Sequence, residues 1–257
     1  MNVILKKEFA ELWRSKKILI SVIVLAAMAM SSVLLTRFTP EIILFAFNLQ
    51  GTELPPELSG LLNIQPTFIM AASDLFANIG DILSWVIILM TASAMNSEFI
   101  NGTFPLYLNT KKIRLVSAKF VSRLVMIIVS VVLAAAVGML YILVLFEQAD
   151  FSAFLPAFLI IIVYAAFISA LTLLYSCIFK KVIAAIGFSI FSYLSFSVLG
   201  GLPVIGKFMP TAFNIHIGGF LTNTANTGDF AIYIITALFL VNLLLFLSNC
   251  VTNKYKL

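Results

Sequence analysis

The chain has 257 residues, of which 62% are hydrophobic and only 11% charged, with a formal net charge of +5. Soluble domains carry about 45–50% apolar and about 25% charged residues, so the composition excludes a water-soluble globular protein and makes the bilayer the solvent. In that setting the basic excess bears on membrane orientation and not on nucleic acid, and two cysteines, Cys177 and Cys250, are too few for a disulfide framework.

Leu5, Phe9, Leu12 and Trp13 stand at i, i+4, i+7 and i+8, and Lys6, Lys7, Glu11, Arg14 and Lys17 fill the remaining positions. This spacing predicts an amphipathic helix over 1–17, lying in the inner interface with Trp13 at headgroup depth. The apolar run behind it is longer than the about 7–15 residues of a cleaved signal. An uncleaved first span is therefore expected.

A spanning helix needs about 20 mostly apolar residues. Six stretches qualify: 18–36, 75–95, 124–146, 154–179, 182–199 and 230–251. The second carries Asn78, Gly80 and Asp81, and the fourth has Pro156 near its start, where proline is tolerated. The apolar run 42–47 is too short to span and reads as part of a long loop over 37–74, broken by Pro55, Pro56 and Pro66. A short loop covers 147–153. The loop over 200–229 has glycines and prolines on both sides of an apolar patch at 208–221, which predicts a short re-entrant helical hairpin. The expected fold class is thus all-α: six transmembrane helices in one membrane domain over 18–257, preceded by the amphipathic helix.

Orientation follows from the basic residues. With the N-terminus in the cytoplasm, Lys6, Lys7, Arg14, Lys16, Lys17, Lys111, Lys112, Arg114, Lys119, Arg123, Lys180, Lys181, Lys254 and Lys256 lie inside, and only Arg37 and Lys207 lie outside. Translocation disfavours Lys and Arg, so this split predicts cytoplasmic N- and C-termini.

Several chemistries are missing. The string GLPVIGKF at 201–208 begins like a P-loop, but Phe208 stands where a hydroxyl must meet Mg²⁺, and no strand precedes it. His216 is the only histidine and has no ligand-spaced partners for zinc. Asp74 and Asp81 are two helical turns apart, about 10 Å, too far for a carboxylate dyad. Asn101–Thr103 spells a glycosylation sequon but falls on the cytoplasmic side. No catalytic residue and no metal site are expected. Ser189, Ser192 and Ser195 share an arc of the fifth span; they either pack helices or, with Asp81, line a polar pathway.

The segment 97–120, SEFINGTFPLYLNTKKIRLVSAKF, joins the second and third spans. Helix–helix connections commonly need about 2–8 residues, so a segment this long is expected to contact something. Asn109 or Thr110 can cap a helix that starts near Lys111 and runs into the third span, while Pro105 breaks the chain before it.

Here the chain resembles the bacterial ABC-2 type transporter permeases, the membrane subunits of ATP-binding-cassette exporters. The order Glu98, Gly102, Thr103, Leu106, Leu108, Arg114, Lys119 is similar to that family's loop after the second span. KKEFAELWRSKK at 6–17 looks like its N-terminal elbow helix, and GKFMPTAFNI at 206–215 like its outer segment after the fifth span. Pro105 and the Lys111–Lys112 pair depart from the pattern. The resemblance implies a bacterial cell-membrane protein that forms half of an export pathway. It implies a second permease subunit, homo- or heterodimeric, and cytoplasmic ATPase subunits that bind ATP and Mg²⁺ and dock on 97–120 as a coupling helix. In that frame Glu98 and Arg114 lock the segment to the elbow helix or to the ATPase, and Gly102 and Thr103 set its turn. Cargo is expected to be amphipathic: a peptide, antimicrobial ones included, a lipid or a drug-like molecule. A secondary transporter predicts inverted repeats and mid-membrane coupling charges, and a membrane enzyme predicts a buried His, Cys or carboxylate cluster; neither is visible. A non-transporting sensor or immunity protein stays open.

Overall fold

The computed structural model describes residues 2–50, 66–100, 102, 112–146, 154–202, 204–222, 224 and 227–254. Nine α-helices occur among them: α1 (Asn2–Arg14), α2 (Lys17–Gln50), α3 (Phe68–Thr91), α4 (Ser93–Ile100), α5 (Lys112–Leu145), α6 (Phe154–Ile178), α7 (Val182–Gly200), α8 (Phe213–Leu221) and α9 (Thr227–Lys254). Two 3₁₀ turns, Gly206–Phe208 and Pro210–Ala212, lead into α8. The described residues contain no strand. Six helical segments are long and apolar enough to cross a membrane, with α3 and α4 counting as one.

Helix α6 is the hub. It packs against α3, α5, α7, α8 and α9, and 72% of its spanning window is buried within the protein, against 11% for α7 and 17% for α9. All three are apolar around their whole circumference, so each must meet apolar surroundings everywhere. For α6 these are other helices. For α7 and α9 much of the surface is left to the bilayer.

Two helices run beyond the expected spans. The loop expected over 37–74 is in part a helix: α2 continues through the apolar run 42–47 to Gln50. Pro40 lies inside it and lacks the N–H of a regular turn. The turn before it carries a side-chain bond, Thr39 donating its hydroxyl to Leu35 O at 2.6 Å, one of the local adjustments seen where spans tolerate proline. On the far side α3 begins at Phe68, seven residues before the expected span. Thr67 caps it in extended conformation, its Oγ1 accepting Met70 N–H at 3.3 Å. Thr67→Ala is expected to cost about 1 kcal/mol, read as a lowered midpoint in thermal unfolding of the detergent-solubilised protein. Pro55, Pro56 and the loop 147–153 lie outside the described residues.

The break between α3 and α4 is held by α6. Met95 N–H in the first turn of α4 donates to Ser176 Oγ at 2.9 Å, and Ser176 donates to Asn96 Oδ1 at 2.7 Å. Asn96 Nδ2 donates to Phe179 O, just past the end of α6, at 2.8 Å. Orphan backbone groups at two helix ends are thereby satisfied inside the protein.

The hairpin expected over 208–221 is a single helix, α8, preceded by two 3₁₀ turns. Pro210 starts the second turn and cannot donate to a longer helix. The segment folds back on the bundle. Phe213 is buried and stacks on Tyr164 of α6 with ring centroids 4.4 Å apart, and its edge lies over Gly80 of α3, where a Cβ would overlap the ring. Tyr233 of α9 donates to Pro210 O at 3.0 Å and fixes the turn from the other side.

Candidate functional site: a buried ion network at one end of the bundle

Helix α1 is amphipathic in an unexpected sense. Its inward face is Glu8 and Leu12, at i and i+4, which are 0% and 1% exposed. Leu5 and Phe9 are half-buried, Arg14 is exposed and Trp13 is 75% exposed. The apolar stripe therefore does not all point one way: Leu12 enters the protein and Trp13 leaves it. Lys16, in the left-handed conformation at φ 54°, turns the chain from α1 into α2.

Glu8 points at α5. Lys119 Nζ donates to Glu8 Oε1 at 2.6 Å and to Glu98 Oε1 of α4 at 3.0 Å. Lys7 Nζ, partly exposed, also donates to Glu98 Oε1, at 2.9 Å. Arg123, one turn beyond Lys119, approaches Glu8 Oε2 at 3.6 Å through Nη2. Glu8, Glu98, Lys119 and Arg123 are all almost completely buried. Charges out of water must be paired, and here each carboxylate meets a cation from a different helix. The network ties α1 to α4 and α5, the two helices that flank residues 101–111.

Glu11 adds a third carboxylate: ligand oxygens of Glu8, Glu11 and Glu98 lie within 4.8 Å of one another. A metal ion does not suit this set, because Lys119 already occupies the space between Glu8 and Glu98 and Lys7 and Arg123 complete the neutralisation. Two donors of Arg123, Nε and Nη1, have no partner among the described residues. The charge balance of the network is closed although its hydrogen bonding is not.

The other site residues are placed as follows. Gly102 stands just past α4 with φ 64°, and its N–H reaches Phe99 O at 3.4 Å, so glycine serves as the left-handed stop of that helix. Thr103, with Pro105, Leu106, Leu108, Asn109, Thr110 and Lys111, lies outside the described residues. Arg114 belongs to α5, but its side chain is also outside them. Asp81 is exposed on α3 beside Gly80. Ser189 is buried and donates to Ala185 O at 2.7 Å, Ser192 pairs with Tyr175 at 2.6 Å, and Ser195 is exposed and donates to Phe191 O at 2.9 Å. The serine arc thus runs from the packed side of α7 to its outer side, and two of the three hydroxyls are spent on their own helix. His216 lies against Tyr233 with ring centroids 4.4 Å apart and the ring planes tilted by 43°. Burial holds its imidazole below the usual range, with Asp229 opposing that shift and Lys207 adding to it.

Sequence reasoning missed Glu8; it placed Lys119 in the coupling segment by resemblance and used Arg123 only as an orienting charge, and it paired neither with a buried carboxylate. The usable signal was their spacing. Two cations at i and i+4 on the inward side of an apolar helix need buried anions, and Glu98 alone cannot serve both.

A scan of the chain against protein-family models finds no match, and a search of curated proteins finds none either.

Proposed function

We propose that the chain is the membrane permease subunit of an ATP-binding-cassette exporter in a bacterial cell membrane. In this reading both termini are cytoplasmic, α1 is the elbow helix, and a second permease subunit completes the export pathway. Separate ATPase subunits bind ATP and Mg²⁺ and dock on 97–120, and the chain itself hydrolyses nothing. The cargo is amphipathic: a peptide, a lipid or a drug-like molecule.

The observation that carries this reading is the ion network Lys7–Glu98–Lys119–Glu8. A push on 97–120 reaches the bundle through α4 and α5, and buried ion pairs bind both to α1 as one stiff unit. Switching elements need this rigidity, because packed, paired elements move between discrete states and do not yield continuously. The span count and the basic residues gathered toward one side support the orientation.

Purification in mild detergent is expected to bring down an ATPase of ABC size, and the reconstituted pair is expected to move amphipathic cargo only with ATP. Glu98→Gln combined with Arg114→Ala is expected to insert normally and to lower ATP-driven export severalfold. The absence of any ATPase, with no ATP-dependent activity, would end the proposal. Unchanged export in the double variant would remove Glu98 and Arg114 from coupling.

A further inference from the structure

Helix α2 is clasped at two levels, to α3 at one and to the head of α4 at the other. At one level Asn78 donates to Ser32 at 3.0 Å and Thr36 to Asp74 at 2.7 Å. At the other Lys17 donates to Ser93, at the head of α4, at 3.0 Å. Lys17 and Ser32 are fifteen residues apart, as are Asn78 and Ser93, so the clasps are separated by about 22 Å of helix. On the Lys17 side of this interval lies a groove of about 420 Å³. Ile20 and Val24 of α2 form one wall, and Trp85, Val86 and Leu89 of α3 form the other. The volume falls within the range of about 300–1,000 Å³ typical of ligand sites.

The walls are almost wholly hydrocarbon, and the mouth opens sideways: Ile20 is 58% and Leu89 60% exposed, on a face of two membrane-spanning helices. Whatever enters must come from the bilayer. The one charged group in the lining is Lys17, at the end of the groove. Its ammonium has three donors, and Ser93 takes one. Lys17 also opens α2, a 34-residue helix whose first N–H groups and positive dipole end favour an anion at the same place. A ligand with a long apolar body and a negative head matches the groove.

We propose that this groove holds an acyl chain of an anionic bilayer phospholipid, with the lipid phosphate at Lys17. The site does not depend on the chain being a permease. A neutral lipid offers the same chain but no net charge, so selectivity rests on Lys17. One lysine near a lipid surface contributes about 1 kcal/mol, or about a fivefold preference for the anionic lipid.

The two tryptophans allow a direct test, because Trp85 lines the groove and Trp13 lies on α1. In the full chain carrying Trp13→Phe, Trp85 is the sole tryptophan. Reconstituted into phosphatidylcholine bilayers, its fluorescence is expected to be quenched about fivefold more effectively by chain-brominated phosphatidylglycerol than by chain-brominated phosphatidylcholine. Lys17→Gln should erase the difference, while Lys17→Arg and Lys6→Gln should keep it. Val24→Phe, which fills the groove and leaves Lys17 in place, should reduce quenching by both lipids. Inorganic phosphate in excess should change nothing. Equal quenching by the two lipids in the otherwise unaltered chain overturns the proposal. So do weak quenching by both, which marks a groove covered by a second copy, a preference that survives Lys17→Gln, and competition by free phosphate.

Discussion

Lys119→Met is expected to lower the stability of the detergent-solubilised protein by about 3–5 kcal/mol, the effect of removing one partner from a buried ion pair. Lys119 is the cation between Glu8 and Glu98, within hydrogen-bonding distance of both, and water reaches none of the three to any extent. Without it, Glu8 keeps Arg123 at 3.6 Å and Glu98 keeps the partly exposed Lys7, and the two carboxylates face each other beside a methionine side chain. Buried pairs contribute little relative to a well-packed apolar replacement, but an orphaned buried charge is strongly destabilising. The double variant Lys119→Met, Glu98→Gln keeps the buried Glu8 beside Arg123 and takes Glu98 only from the partly exposed Lys7, so it is expected to recover most of the loss even though it removes more charge than the single variant. Denaturant or thermal unfolding of the single and double variants measures both effects. A single-variant loss under about 1 kcal/mol, the size of an exposed pair, would show that the network is solvated.

The second large effect concerns Phe213 and Gly80. Phe213→Ala deletes a buried ring stacked on Tyr164 and is expected to cost about 3–5 kcal/mol. Gly80→Ala places a methyl where the ring edge lies, and overpacking of this kind is expected to cost about 1–3 kcal/mol. The two changes act on one space, so they are not additive. In the Phe213→Ala background, Gly80→Ala should be close to neutral. Unfolding midpoints of the two single variants and the double variant provide the cycle, and simple additivity would show that α8 does not sit on Gly80 in the membrane.

The elements legible in the sequence are those whose cause is local. Six apolar stretches near the length of a bilayer predict six spanning helices, and six helical segments long and apolar enough to cross are found among the described residues. The helix expected near Lys111 begins at Lys112. Where expectation failed, the competing cause was a side chain acting at a distance or through its own helix. The first span reads as ending at Thr36, yet α2 runs on through Pro40 to Gln50, with the Thr39 hydroxyl bonded to Leu35 O in the turn before the proline. Glu8 reads as one more charge on a basic tail until Lys119 is seen opposite it. The serines of α7 read as one polar stripe, yet their hydroxyls divide between Tyr175 and their own backbone.

The amino-acid sequence by itself determined that this protein lives in a bilayer, how many times it can cross, and where its basic residues gather, because transfer free energy depends on residue type and run length alone. It could not determine which of three equally apolar helices lies at the centre. Helices α6, α7 and α9 all satisfy a hydrocarbon environment, and hydrocarbon makes no distinction between lipid and leucine. Packing decided that α6 is enclosed while α7 and α9 keep an outer face. Tertiary structure likewise turned Glu8, Glu98, Lys119 and Arg123, four charges scattered from residue 8 to residue 123, into one buried network. A charge carried into the membrane must find its opposite, and only the fold says which one is near.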